Sequence, residues 1–197
     1  MIALVPRLIC DLVIEGCCWG GVMRLTTSLK VSLTALMSSL AAAFQVAGLE
    51  VPFPLLPFLK YDPVGVPIIL VSLIVGIKGG IVADLLTAIA IMFRGDIVGA
   101  WMKFLAELTT FVPFTLAFRK LPESRIKYIG STAIGVVSRV ILMNVANIIV
   151  CPIVFKVPLS VALSWIPLIS FFNATIALMY IPVSLYLYKL VRKVLEE

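Results

Sequence analysis

Long apolar runs, separated by short clusters of charge, glycine and proline, organise this chain. A helix needs about 20 residues, at ~1.5 Å rise each, to cross ~30 Å of hydrocarbon. Residues 31–48 carry no charge over nearly that length and predict a first span. A short second span is predicted over 66–77, ended by Lys78-Gly79-Gly80, and a third over 81–93, ended by Arg94-Gly95-Asp96. The fourth covers 97–118, and the fifth covers 128–155, closing near Cys151-Pro152. A sixth runs over 162–190, with Pro167 and Pro182 as kinks. Between the first two spans, residues 50–67 hold prolines at 52, 54, 57, 63 and 67 with aromatics Phe53, Phe58 and Tyr61. Five prolines preclude a regular helix, yet the stretch is too apolar for a solvated linker, so it should lie folded on the bundle. The pattern predicts an all-α integral membrane protein: a compact six-transmembrane-helix bundle with a long ordered, Pro/aromatic-rich extracellular loop between helices 1 and 2.

Residues 1–25 do not fit that pattern. Arg7, Asp11 and Glu15 interrupt their apolar stretches, which are too broken for a span or a signal-peptide core. They are expected to be an N-terminal extension outside the fold, leaving 26–197 as the transmembrane domain.

Composition agrees. The chain is 62% hydrophobic and 13% charged, against roughly a quarter charged in soluble domains. Too few charges are present to coat a water-facing surface. The net charge of +6 follows from the loops rather than from nucleic acid binding. Counting alternate loops, Arg7, Arg24, Lys30, Lys78, Arg119, Lys120, Arg125, Lys127, Lys189, Arg192 and Lys193 collect on one side. Lys60, Arg94 and Lys156 lie on the other. The positive-inside rule then places both termini in the cytoplasm of a plasma-membrane protein and the proline-rich loop outside.

Catalysis is disfavoured. Histidine is absent, which removes the commonest general base and metal ligand together. The four cysteines form no CxxC, and there is no glycine-rich phosphate loop. No catalytic residue, resident cofactor or metal is expected.

Four ionisable residues fall inside predicted spans: Asp84, Lys103, Glu107 and Arg139. Each costs roughly 2.5–3.5 kcal/mol to insert, so each should face protein or water. Glu107 and Arg139 sit at similar depth on consecutive spans and are expected to pair, either fixing helix register or reading a ligand. Lys103, Asn147 and Asn173 fall in the half of the bundle beneath the loop, where amides and an ammonium offer convergent donors and acceptors. Ala35, Ser39 and Ala43 recur every four residues on the first span, a small-residue ridge that admits close helix approach, within this bundle or from another chain.

The stretch Phe53-Pro54-Leu55-Leu56-Pro57-Phe58-Leu59-Lys60-Tyr61-Asp62-Pro63-Val64-Gly65-Val66-Pro67 resembles the first-loop signature of the substrate-binding (S) components of energy-coupling factor (ECF) vitamin transporters, nearest the riboflavin-specific RibU group. Residues 95–105, the run Asn147-Ile148-Ile149-Val150-Cys151-Pro152 and the pair Phe172-Asn173 resemble further stretches of that group in the same order. The resemblance covers about 26–193. It implies a non-enzymatic subunit that captures riboflavin outside and works with a scaffold transmembrane subunit and two ATPase subunits, so that ATP is bound only by the partners. The ridge of Ala35, Ser39 and Ala43 then becomes the intersubunit surface.

The substrate-binding residues implied are Phe53, Leu56, Phe58, Tyr61 and Asp62 from the loop with Lys103, Asn147 and Asn173 from the helices; Trp101 or Trp165 adds apolar wall. Two departures stand out. Lys103 occupies a place where the family carries asparagine, and Ile176 a place where it carries lysine, so one cation has moved across the pocket. FMN, folate or thiamin are alternative ligands. A standalone ion-coupled carrier using Asp84 or Glu107 is the alternative from another class.

Overall fold

The computed structural model describes residues 26–196, with side chains through residue 193. The extension expected over 1–25 lies outside the described residues. Among the described residues, four helices are long and apolar enough to cross a membrane. They are α1 (Thr27–Val46), α4 (Ile97–Lys120), α5 (Arg125–Val154) and α7 (Ile166–Glu196). They make the chain a multi-pass membrane protein. The other two expected spans form shorter helices, α2 (Gly65–Ile74) and α3 (Ile77–Phe93). A further short helix, α6 (Leu159–Ser164), precedes α7.

Local chemistry sets the helix ends. Thr26, Asp96 and Ser124 accept backbone N–H bonds from Leu29, Gly99 and Ile126 and so cap α1, α4 and α5. The break between α2 and α3 was expected at Lys78-Gly79-Gly80 but falls at Gly76. There φ is +125°, a conformation that a side chain would oppose. Gly80 instead lies inside α3, where an added Cβ would meet Phe111 and Ser72 at 2.9 Å. It therefore lets α3 approach α2 and α4 closely. The single sixth span is likewise corrected to α6 and α7, with Trp165 between them. Pro167 stands in the first turn of α7, where its missing N–H has no helical acceptor to lose, so it starts the helix instead of kinking it. Pro152 does not stop α5, which continues to Val154.

The largest difference is in the proline-rich loop, which contains an antiparallel hairpin, β1 (Val51–Phe53) paired with β2 (Leu56–Tyr61). Pro52 is tolerable there because a two-stranded sheet has only edges. Leu59 and Tyr61 are half-buried, whereas Phe58 and Lys60 are more exposed. An irregularity between Pro52 and Phe53 lets Phe53 and Leu56 both point inward.

Helix α2 is the centre of the fold. Nine of its ten residues are buried, and it packs on α1, α3, α4 and α7. At about 15 Å it is half a bilayer long. Its Ile68 and Ile69 share one apolar core with Phe111, Phe114, Ile176 and Ile181, all fully enclosed. Helix α5 buries one line at four-residue spacing, from Lys127 through Ser131, Gly135, Arg139, Met143 and Asn147 to Cys151. The opposite side exposes Ile129, Val137, Ile141, Val145 and Ile149, a surface suited to lipid.

Candidate functional site

The hairpin delivers Asp62 to the start of α2. Its Oδ1 accepts the Val64 N–H at 3.0 Å, which ties a carboxylate to the positive end of the helix. From there it reaches three surrounding helices. The Lys103 ammonium on α4 donates to both Asp62 oxygens at 2.8 Å, and the Tyr180 hydroxyl on α7 donates to Oδ1 at 3.0 Å. Gln45 on α1 donates to Oδ2 at 3.4 Å. Burial pushes the Asp62 carboxyl up. The Lys103 charge and the hydrogen bonds from Lys103, Val64 and Tyr180 more than offset that and hold it below its ordinary value.

A second layer lies deeper. Lys103 also stands 3.1 Å from Glu107 Oε1, one turn along α4. The same oxygen is 3.3 Å from Arg139 on α5, so the expected Glu107–Arg139 ion pair is present. Arg139 further donates to Thr110 at 2.9 Å and, through Nε, to Asn173 Oδ1 at 3.1 Å. One continuous network thus joins the hairpin base to α1, α4, α5 and α7. Glu107 is 0% and Arg139 2% exposed, and their burial is tolerable because each charge finds an opposite one. Asp84 Oδ2 and Glu107 Oε2 are buried without a hydrogen-bond partner among the described residues. Gly65 makes this packing possible: a Cβ there would overlap the Tyr180 ring and Glu107 Oε2.

An aromatic cluster adjoins the network. The Tyr61 ring lies 4.8 Å from that of Phe172, and its hydroxyl is 2.9 Å from Thr175. Phe53 packs edge-on to Tyr61 at 6.0 Å and against Phe172 at 5.7 Å. At the rim the hairpin is fastened by Glu50, which pairs with Lys60 at 2.6 Å and Arg94 at 2.7 Å. Arg94 also donates to the Gln45 carbonyl at 2.6 Å. Burial raises the Glu50 carboxyl, but these two cations hold it below its ordinary value.

Of the residues singled out from sequence, Phe53, Tyr61, Asp62, Lys103 and Asn173 come together here, and Leu56, opposite Phe53 in the hairpin, is buried in the same apolar core as Phe53 and Phe172. Two do not join them. Phe58 is 46% exposed against Trp165. Asn147 donates to Met143 O on its own helix. It sits eight residues past Arg139, or about 12 Å along α5, too far to join. Trp101 packs on Phe104 and is 55% exposed. Ala35, Ser39 and Ala43 lie on the exposed side of α1. Sequence reasoning missed Tyr180 and Gln45. The available signal for Tyr180 was its spacing of seven from Asn173, which places both on one helix face.

Neither a protein-family profile nor a curated protein sequence matches the chain. Its fold is similar to that of a solved structure, the S component of a bacterial ECF transporter. The TM-score is 0.74 at 21% identity, over 87% of this chain and 100% of that one. The two chains therefore share an architecture with little sequence in common.

Proposed function

We propose that this protein is the substrate-binding S component of an ECF-type transporter and that its ligand is riboflavin, captured at the extracellular side without chemical change. The observation that carries the reading is the position of the hairpin: it closes over an aromatic cluster and a buried polar network on a scaffold of S-component shape. Small-molecule sites are mostly apolar, with a few aimed polar groups. Phe53, Tyr61 and Phe172 pack on one another beneath the closed hairpin, and a flat isoalloxazine suits the ring faces that they free when it lifts, with each aromatic contact contributing about 1 kcal/mol. Its pyrimidine-like edge suits Lys103, Tyr180 and the Asn173 region, and the resemblance of residues 53–67 to the riboflavin group supports the same ligand.

In this reading the hairpin acts as the lid, and its prolines limit the entropy lost on closure. The ridge of Ala35, Ser39 and Ala43 points away from the bundle, as an intersubunit surface requires. A scaffold transmembrane subunit docks there and two ATPase subunits supply ATP, with both termini of this chain cytoplasmic. Release follows when docking stabilises a lid state with lower ligand affinity.

The test is copurification from native membranes together with calorimetric titration against riboflavin, FMN, folate and thiamin. Recovery with an ATPase pair and saturable riboflavin heat supports the proposal. Uptake by the isolated chain in proton-driven vesicles, with no ATPase recovered, replaces it with an ion-coupled carrier.

A further inference from the structure

Lys103 and Asp62 were each expected to meet a ligand, yet they meet one another. The two are not equivalent. Lys103 is anchored in the middle of α4, and the Glu107 carboxylate 3.1 Å away gives it a second counter-charge. Asp62 is on the connection between β2 and α2, and it enters the bundle only as far as the hairpin settles. The neighbouring residue Tyr61 contributes the ring that covers Phe172 at 4.8 Å. Two consecutive side chains of the lid therefore present a flat ring and a pair of acceptor oxygens to the bundle. That is the outline of a planar ligand carrying carbonyl or acidic oxygens along one edge. Around Asp62 the charged and titratable groups are Lys103 and Tyr180, with Glu107 behind Lys103. When the carboxylate leaves, the ammonium keeps only Glu107, whose same oxygen also serves Arg139, so the donors that Asp62 had satisfied need a replacement acceptor.

We infer that Asp62 is a built-in competitor for Lys103: the transported molecule enters by placing its own acceptor or anionic group on the Lys103 ammonium while the hairpin withdraws the Asp62 carboxylate. This rests on the proposed binding function and narrows its ligand class. Planar molecules with acceptor edges, such as the flavin dione or the acids of folate, are admitted. A cationic ring such as that of thiamin meets the ammonium and is rejected. Asp62 thereby sets specificity as well as affinity, since a ligand unable to replace two oxygens at 2.8 Å leaves the lid shut.

The experiment pairs ligand titration with hydrogen exchange on the free protein. In Asp62→Asn, riboflavin binds about tenfold tighter and associates faster, the gain expected when the native open form is populated roughly a tenth of the time. Lys103→Gln weakens binding, and adding Asp62→Asn to it brings no further gain, because the competition needs both groups. Weaker or unchanged riboflavin binding by Asp62→Asn overturns the inference. Without any ligand, both single variants speed exchange of the amides of residues 56–66 relative to the native protein. Exchange identical to native overturns the inference on its own, even where no vitamin binds and the proposed function has failed.

Discussion

Removing either member of the Glu107–Arg139 pair should destabilise the bundle far more than removing both. At the observed 3.3 Å, an effective dielectric near 20 gives an attraction of about 5 kcal/mol. Arg139→Leu also strips donors from Thr110 and Asn173 and leaves Glu107, fully enclosed, with Lys103 as its remaining cation. Breaking a buried pair from one side costs about 3–5 kcal/mol. For a chain of this size that lowers the unfolding midpoint by roughly 6–20 °C, at about 2–4 °C per kcal/mol. Glu107→Leu falls in the same range, because Arg139 loses its carboxylate. Replacing both by leucine leaves no unmatched charge from the pair, and most of the loss is recovered. The assay is thermal unfolding of detergent-solubilised protein for native, both single variants and the double, read as a cycle. Single-variant losses below about 1 kcal/mol, or losses that simply add, refute the assignment of this pair as a buried, mutually dependent ion pair.

Gly65→Ala places a methyl group against the Tyr180 ring and Glu107 Oε2, so an overpacking penalty of about 1–3 kcal/mol is expected in the same unfolding assay. The outward ridge behaves oppositely. Ala43→Leu leaves the midpoint of the isolated chain within about 0.5 kcal/mol of native, because Ala43 is exposed, but it is expected to abolish copurification with the proposed scaffold subunit. The Glu50 clasp is pH-dependent. Its folded carboxyl lies below the ordinary value of 4.5, so the stability it contributes is fully present above that value and is lost as pH falls through the lower folded value. Hydrogen exchange at 51–53 is therefore level above about pH 4.5, apart from the intrinsic base dependence, and becomes faster than that trend only below it. Glu50→Gln removes the step.

The membrane helices were legible because nothing but apolar length is needed to build them. Residues 97–118 and 128–155 announced α4 and α5 almost to their ends. Boundaries failed where a single residue's geometry decides them: at Gly76, whose positive φ takes the turn ahead of two other glycines, and at Pro167, which begins a helix it was expected to bend. The hairpin was hidden because proline suppresses every strand signal, while the pairing of β1 with β2 supplies what local propensity lacks. Polar residues were easier to find than to assign. Lys103, Glu107, Arg139 and Asn173 stood out by their cost in lipid, and the structure links all of them. Tyr180 did not stand out, since a tyrosine in an apolar helix reads as packing until Asp62 is seen to reach its hydroxyl. Asn147 looked equally promising, but depth along α5 sets it apart, and composition carries no depth.

In the proposed reading the cluster beneath the hairpin recognises a flat, acceptor-edged vitamin through Lys103. Titrating riboflavin into the purified native protein and into Lys103→Ala, both confirmed folded by their unfolding midpoints, tests it most directly. The native chain is expected to show saturable one-to-one binding and the variant a loss of at least about tenfold, the least expected when a charged hydrogen bond of about 1.5–3 kcal/mol is removed. Equal affinity in the two proteins, or no riboflavin binding by the native chain, contradicts it.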